Sequence, residues 1–411
     1  MTIDTPTMQD LAARVLGGTV MAASDEAFGE KENLLNPGPV DFVPGRFGAR
    51  GEIVDGWETR RRRVPGVDWA LVRLGVPGII RAVDVDTTSF TGNHPVGCLV
   101  EACGVEGYPS PEELMNADWV EIVAETELAG DQSNVLRVES DVRFTHVRLT
   151  IWPDGGVGRL RVWGRAVPDP RDYDFGSRDL ASQLHGGLVE GSSDGFYSSA
   201  QSLNRPDEAR TMGEGWETRR QRGAGPDWVV VRLAARAHVH AVVLDTAYFR
   251  YNASAQCSLL GLDLDPLDGD ATIADSSSWK ELLPLTRLQP DTRHMFWLSS
   301  TVPASPPVTH VRLEAMPDGG LSRLRVIATP DAVGRRALGI TWWNTLPAAQ
   351  LSAILTAAGV PAPDADALIR RRPLRESAVR QESALGSAAD LGVLGETSTP
   401  VVNQLLFGRA G

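Results

Sequence analysis

Two short stretches of the sequence each place one glutamate beside a run of arginines. Residues 56–61 are Gly-Trp-Glu-Thr-Arg-Arg, and residues 215–220 repeat the same order. The planar guanidinium of arginine forms paired hydrogen bonds with a carboxylate and stays charged at physiological pH. The stretches therefore indicate sites for a small anion. The alternative is that the arginines pair with nearby acids such as Glu58 and Glu217, or face water.

Aspartate and asparagine residues recur at matching places farther along the chain. Asp86 and Asp245 each stand before a loop, and the two loops carry Asn93 and Asn252. Loops at one end of a β-sandwich commonly hold ligands. We therefore expect Asp86 and Asp245 to make polar contacts with a ligand. The alternative is that each aspartate caps a turn.

Histidine suits acid–base chemistry near neutral pH and also binds metals. His146 and His310 occupy matching positions ahead of a Val-Arg-Leu triplet, and each is a candidate general base or metal ligand. The alternative is a histidine that is hydrogen-bonded within a strand. His94 follows Asn93, whereas Ala253 takes that position in the second stretch. The sequence has no His-Glu-x-x-His motif, so its residues alone give little support for a metal site.

The arginine-rich stretches belong to two long copies of one sequence pattern. Trp57 is matched by Trp216, 159 residues later. Farther on, the His-Val-Arg-Leu and Pro-Asp-Gly-Gly motifs within residues 146–156 return 164 residues later. A period of this length indicates two tandem domains rather than a solenoid of short units.

Length and composition narrow the class of protein. The 411 residues suffice for two domains of roughly 150 residues and a tail. A net charge of −13 opposes binding to nucleic acid, which usually requires a basic face. We find no apolar signal segment or membrane span, and the three cysteines are too few for a disulfide framework, so we expect a cytoplasmic protein. Cys98 and Cys257 match each other, and we interpret them as core residues.

Short strands separated by turns that contain glycine and proline dominate the two copies. Val83 and Val85 alternate with Asp84 and Asp86, as in a half-buried strand. The segment 145–163 alternates on both sides of its Pro-Asp-Gly-Gly turn, which predicts a β-hairpin, and residues 309–327 repeat it. Further candidate strands are residues 69–74, 79–86, 98–103 and 119–124. Together these features predict an all-β fold of two tandem sandwiches.

The final part of the chain has a different pattern. Residues 346–355 predict a helix with Leu351, Ile354 and Leu355 on one face, and residues 363–386 are charged and favour helix. The tail is too short for a sizeable core of its own, so we expect it to pack on the sandwiches or to be partly mobile. We divide the chain into a lead-in (1–17), a first repeat (18–167), a linker (168–186), a second repeat (187–332) and a helical tail (333–411).

Several of these motifs, in this order and in both copies, resemble the allantoicase family. In the first copy they are residues 55–61, 73–81, 84–87, 90–93, 101–103, 146–149 and 153–156. The resemblance covers roughly residues 18–330. It implies two jelly-roll domains similar to galactose-binding-like modules. It also implies the hydrolysis of allantoate to ureidoglycolate and urea in purine breakdown.

The resemblance suggests roles for individual residues. Allantoate carries one carboxylate and two ureido groups, so its site needs a cation, polar partners for the ureido groups and an acid–base group. We expect catalytic roles for Glu58, Asp86 and His146. We expect substrate contacts from Arg60, Arg61, Asn93, Glu217, Arg219, Arg220, Asp245 and Asn252. A divalent metal is a candidate cofactor by resemblance only, and we expect a homo-oligomer with a small-molecule substrate.

The second copy departs from the pattern in places. Residues 234–237 are Ala-Ala-Arg-Ala where residues 75–78 are Gly-Val-Pro-Gly, and Arg250 and Tyr251 precede Asn252. One alternative is therefore that the second copy is structural and that all chemistry lies in the first. A different alternative is a non-catalytic jelly-roll module that binds a small anion or a sugar, because a fold alone never determines activity.

Overall fold

The computed structural model describes residues 8–221, 225–264, 278–298, 306–374 and 398–408. The chain forms two compact units. The first contains residues 8–167 and 345–354, and the second contains the described residues of 168–344 and those from 355 onward. Each unit is built around one β-sandwich, which confirms the predicted fold class.

Among its described residues, the first unit contains twelve strands, one short helix and, within residues 345–354, part of a helix from the end of the chain. The strands are β1 (Gln9–Asp10), β2 (Thr19–Ala23), β3 (Phe47–Gly48), β4 (Gly51–Glu52), β5 (Trp57–Glu58), β6 (Asp68–Asp86), β7 (Gly97–Cys103), β8 (Val120–Glu127), β9 (Ser133–Arg137), β10 (Arg143–Trp152), β11 (Gly156–Val157) and β12 (Arg159–Ala166). The helix α1 (Pro111–Met115) begins at a capping box formed by Ser110 and Glu113.

The long strand β6 belongs to both layers of the first sandwich. Its first part pairs with β2 and β10, and β7 and β8 continue that layer. Its last part pairs with β9 and β12, and β1 continues the second layer. The predicted strands 69–74 and 79–86 are therefore one strand. Glycines at its middle allow close packing, because a Cβ at Gly78 would lie 2.3 Å from the carbonyl oxygen of Arg165.

Alternation along these strands builds the core between the layers. Val83 and Val85 are fully buried in it, together with Val147 and Leu149 of β10. Burying each such side chain stabilises the fold by roughly 1.5–3 kcal/mol. Cys98 lies in the same cluster, and burial raises the pKa of its thiol to about 12, so the interpretation as a core residue is confirmed.

The predicted hairpins are wrong. Strands β10 and β12 do not pair with each other; each pairs with β6, in different layers of the sandwich. The residues between them cross from one layer to the other, and β11 pairs on the way with β5. Alternation on both sides of a turn shows that each strand has one buried face, but it does not show which strand each one pairs with.

The second unit repeats this arrangement. Its strands are β13 (Arg178–Asp179), β14 (Leu188–Ser192), β15 (Trp216–Glu217), β16 (Asp227–Asp245), β17 (Gln256–Leu262), β18 (Lys280–Arg287), β19 (Arg293–Trp297), β20 (Val308–Met316), β21 (Gly320–Leu321) and β22 (Arg323–Pro330). The long strand β16 pairs with β14 and β20 in its first part and with β19 and β22 in its last. Cys257 lies in this core, as predicted.

Helices follow the second sandwich. They are α2 (Ala332–Thr345), α3 (Ala348–Ala357), α4 (Ala362–Arg370) and α5 (Ser398–Phe407). The predicted helix at 346–355 is confirmed, and Leu351 and Leu355 are buried. Part of the predicted helical segment 363–386 lies outside the described residues. None of the described helices combines the length and apolarity needed to cross a membrane.

Candidate active site

The two-residue strand β5 places a glutamate at one end of the first sandwich. Trp57 is fully buried, and its indole N–H donates to the carbonyl oxygen of Asp25 at 2.7 Å. Glu58 lies opposite Gly156 of β11 in the register. Because successive side chains of a strand point to opposite sides, burying Trp57 turns Glu58 away from the core. Trp57 is therefore a core residue.

Asn93 holds the carboxyl group of Glu58. The side-chain Nδ2 of Asn93 donates to Oε1 of Glu58 at 2.8 Å. The backbone carbonyl oxygen of Asn93 accepts from the N–H of Gly156 at 2.8 Å. Gly155 has a φ of +140°, and a Cβ there would lie 2.7 Å from the carbonyl oxygen of Asn93. The Pro-Asp-Gly-Gly turn thus fixes the loop that carries Asn93.

Burial raises the pKa of Glu58 above its ordinary value. The hydrogen bond from Asn93 acts in the opposite direction, and the nearby carboxylate of Glu52 adds to the increase. A carboxyl group whose pKa lies closer to neutrality can take up and release a proton more readily. The environment of Glu58 therefore suits acid–base chemistry.

The arginines of the first repeat differ in what they contact. Arg60 donates through Nε to Asp25 at 2.6 Å, and its backbone N–H donates to the same carboxylate at 2.7 Å. Arg62 forms an ion pair with buried Asp68 at 2.8 Å. Arg61 is exposed, and across the described ranges it makes no hydrogen bond or ion pair. Arg61 is thus available for an anionic ligand.

The ion pair with Asp25 engages the guanidinium of Arg60. Burial alone would raise the pKa of Asp25, but the N–H groups of Arg60 and Ala27 and the guanidinium of Arg60 together hold it below its ordinary value. Asp25, which precedes Arg60 by 35 residues, was not among the predicted site residues. The signal was a Ser-Asp dipeptide that occurs at residues 24–25 and again at 193–194.

The second repeat contains the same carboxylate–amide pair. Asn252 donates to Oε1 of Glu217 at 2.6 Å, and Glu217 lies opposite Gly320 in the register. Arg219 forms an ion pair with Asp194 at 2.7 Å. Arg220 is exposed, with no hydrogen bond or ion pair to the part of the chain that the structure describes. The structure therefore brings Glu217 and Asn252 into contact, and Arg219 and Arg220 follow Glu217 by two and three residues in the sequence.

Asp86 and Asp245 cap turns. Oδ1 of Asp86 accepts from the N–H of Thr88 at 2.8 Å, and Oδ1 of Asp245 accepts from the N–H of Ala247 at 2.7 Å. These contacts match the capping alternative considered above. Each aspartate thereby shapes the start of the loop that leads to Asn93 or Asn252.

The structure does not bring His146 to Glu58. His146 lies near the start of β10, opposite Arg73 and Cys103, whereas the turn beside Glu58 follows the end of that strand. Trp152 follows His146 by six residues, which corresponds to about 20 Å along an extended strand. His146 is buried, its Nδ1 lies 2.8 Å from Oγ1 of Thr145, and burial lowers its pKa to about 4. His146 is therefore a neutral strand histidine, remote from the predicted catalytic group.

The residues described do not supply a ligand set for a metal ion. Across the described ranges, no three histidine, cysteine, aspartate or glutamate side chains converge as metal ligands do. His310 is bonded instead to Glu190, at 3.2 Å, and to Thr309. We therefore assign no residue to a metal.

Comparison with known proteins reveals relatives of this chain. Residues 9–167 and 178–331 match the model of the allantoicase repeat. The chain is 44% identical over 352 residues to a probable allantoicase of Streptomyces avermitilis, covering 82% of this chain and 90% of the relative. It is 46% identical over 321 residues to a probable allantoicase of Nocardia farcinica, covering 78% and 93%. The crystal structure of allantoicase from Saccharomyces cerevisiae is 31% identical, with a TM-score of 0.66 and coverage of 79% and 94%.

Proposed function

The chain belongs to the allantoicase family of hydrolases, and we propose that it cleaves allantoate at the Glu58–Asn93 pair of its first repeat. The observation that supports this assignment is the 2.8 Å hydrogen bond from Asn93 to a carboxyl group whose pKa burial raises. The guanidinium of Arg61, which has no partner among the described residues, lies three residues farther along the chain. Together these groups offer an acid–base residue, an amide and a cation.

The substrate explains why these three groups are needed. Arg61 binds the carboxylate of allantoate through charge-assisted hydrogen bonds. Oδ1 of Asn93 accepts no hydrogen bond from the described part of the chain, so it is free to accept one from a ureido N–H. These contacts place the central carbon of the substrate beside Glu58.

The proposed reaction breaks one bond between the central carbon and a ureido nitrogen and forms a bond from that carbon to a water oxygen. Glu58 accepts a proton from the water and donates a proton to the departing nitrogen. Urea leaves as a neutral molecule, ureidoglycolate retains the carboxylate, and Glu58 returns to its starting state. General acid–base catalysis of this kind contributes about 10²- to 10⁴-fold to a rate.

The other predicted catalytic residues take different roles in this proposal. Asp86 is a positioning residue, because it caps the turn at the start of the loop that carries Asn93. His146 is placed outside the site, because it lies at the other end of β10. The family match favours the hydrolase over the alternative of a non-catalytic binding module.

Replacement of Glu58 tests the proposal. Purified protein is incubated with allantoate, with and without added divalent metal, and urea and ureidoglycolate are measured. We expect Glu58→Gln to lower kcat by about 10²- to 10⁴-fold, since the amide cannot transfer the proton. The matched variant Glu217→Gln should retain kcat. Equal losses in both variants would contradict the assignment to the first repeat.

Two further properties are part of the proposal. The three cysteines are free and buried, which suits a reducing compartment, and we place the protein in the cytoplasm. We also propose a homo-oligomer. Light scattering coupled to gel filtration measures the mass, and the mass of one chain would contradict it.

A further inference from the structure

The two repeats keep the same carboxylate–amide pair but surround it with different side chains. Asn252 corresponds to Asn93, and the residue before it is Tyr251 in the second repeat and Gly92 in the first. Asp194 corresponds to Asp25, and two residues later the second repeat has Phe196 where the first has Ala27. The second repeat thus adds Phe196 and Tyr251 beside an unchanged polar centre, whereas Tyr197 replaces another aromatic residue, Phe28.

Both aromatic loops are attached to the same glutamate. The backbone N–H of Glu217 donates to Oγ of Ser198 at 2.8 Å, two residues after Phe196. The side chain of Asn252 bonds to Oε1 of Glu217 at 2.6 Å, one residue after Tyr251. The loops that carry Phe196 and Tyr251 therefore flank one carboxylate. We call this group, with Arg219 and Arg220, the second-repeat mouth.

The aromatic rings of the mouth are unusually exposed. Tyr251 is fully exposed, and Phe196 and Tyr197 are 63% and 62% exposed. Phe196 and Tyr197 meet edge to face, with ring centres 4.9 Å apart. Because these rings are exposed, their apolar surface is available to a ligand, and binding a ligand would bury it.

Cations accompany the rings. The guanidinium carbon of Arg219 lies 4.8 Å from the ring centre of Phe196. The Nε of Arg219 also forms an ion pair with Oδ2 of Asp194 at 2.7 Å. Arg220 has no partner in the described part of the chain. A free guanidinium attracts a carboxylate, and aromatic faces attract a flat π-system.

We propose that the second-repeat mouth binds a planar aromatic carboxylate, with Arg220 on the carboxylate and Phe196 and Tyr251 against the ring. This site is additional to the hydrolytic site proposed for the first repeat. Arg220 has no ionic partner among the described residues, so it favours an anionic ligand over an uncharged sugar.

Calorimetric titration of the full chain with benzoate tests this proposal. Two probes isolate its parts: cyclohexanecarboxylate keeps the charge and loses the planar ring, and benzamide keeps the ring and loses the charge. Benzoate should bind at least about 5-fold more tightly than either, because each probe lacks one contact. Equal binding of benzoate and cyclohexanecarboxylate, or no benzoate binding, would overturn the proposal.

The first repeat supplies the matched substitutions. Tyr251→Gly and Phe196→Ala install the residues of the first repeat, and each should weaken benzoate binding by about 2- to 12-fold, the size of one aromatic contact. Arg220→Gln should weaken it more, whereas Arg61→Gln should leave the benzoate affinity unchanged. Circular dichroism checks that each variant is folded.

Two readouts separate this site from the hydrolytic one. The Tyr251→Gly and Phe196→Ala variants should release urea from allantoate at the rate of the unmodified protein. Failure of the hydrolysis proposal would appear as absent urea release while benzoate still binds. Unchanged benzoate affinity in these variants, together with a changed gel-filtration volume, would show that the rings contact a second copy, and would overturn the proposal.

Discussion

The side-chain amide of Asn93 donates a 2.8 Å hydrogen bond to the carboxyl group of Glu58, and Asn252 makes the same contact with Glu217. In each repeat the two partners are 35 residues apart in sequence. A turn with two consecutive glycines brings the partners together in each repeat. The N–H of Gly156 donates to the backbone carbonyl oxygen of Asn93, and the N–H of Gly320 donates to that of Asn252. The duplicated contact defines what each repeat presents to a ligand.

Removal of the Asn93 amide should shift the pH dependence of hydrolysis. The hydrogen bond lowers the pKa of Glu58, so Asn93→Ala should raise that pKa further. Since Glu58 must be ionised to accept a proton from water, the acidic limb of the kcat/KM profile should move to higher pH. Asn252→Ala is the control and should leave that limb in place; an unmoved limb in Asn93→Ala would argue against Glu58 as the base.

Arg61 and Arg60 should differ in their effect on catalysis. Arg61 has no partner in the part of the chain that the structure describes, so Arg61→Gln should lower kcat/KM by about 10- to 150-fold, the loss of one hydrogen-bonded charge. Arg60 is already held by Asp25, so Arg60→Gln should have a smaller effect. Steady-state kinetics with allantoate measures both, and a larger loss in Arg60→Gln would reverse the assignment.

Gly155 should be needed for activity as well as for stability. Its φ of +140° and the close carbonyl of Asn93 leave no room for a side chain, so Gly155→Ala should displace Asn93 and cost about 1–3 kcal/mol of unfolding free energy. Gly319→Ala, with a φ of +122°, should cost a similar amount yet preserve kcat. Urea denaturation and kinetics give the two readouts. If both variants hydrolyse allantoate equally, the first-repeat assignment fails.

His146 should affect stability at acidic pH rather than catalysis. Burial lowers its pKa to about 4, so between pH 6.5 and 4 the unfolded chain binds a proton on this histidine that the folded chain does not. The contribution of His146 to the unfolding free energy is complete above pH 6.5, and it decreases by up to about 3 kcal/mol as the pH falls from 6.5 to 4. Asp10 and Asp179 change the unfolding free energy with pH in the opposite direction, because burial raises their pKa values to about 6.

The readout for His146 is therefore a difference between two proteins. The unfolding free energy of His146→Gln should lose less between pH 6.5 and 4 than that of the unmodified protein, and its kcat should remain. A large loss of kcat with normal stability would restore the catalytic role predicted from the sequence.

The sequence predicted much of the local structure. The repeat of Trp57 as Trp216 indicated two domains, and the alternation of Val83 and Val85 with aspartates identified the buried face of one strand. Such patterns are local, because the side chains of a strand point to opposite sides in turn whatever the strand pairs with. The helix at 346–355 was also predicted from a local pattern, because residues three and four apart share one face of a helix.

Contacts between distant segments were decided only by the tertiary structure. The sequence could not distinguish Arg60, which forms an ion pair with Asp25, from Arg61, which has no such partner within the described ranges. It also placed His146 among the catalytic residues, although β10 carries it away from Glu58. The duplication in the sequence determined that there would be two sandwiches with one polar motif each. The packing of remote loops decided which side chains of that motif remain available to a ligand, because an ion pair depends on distance in space and not along the chain.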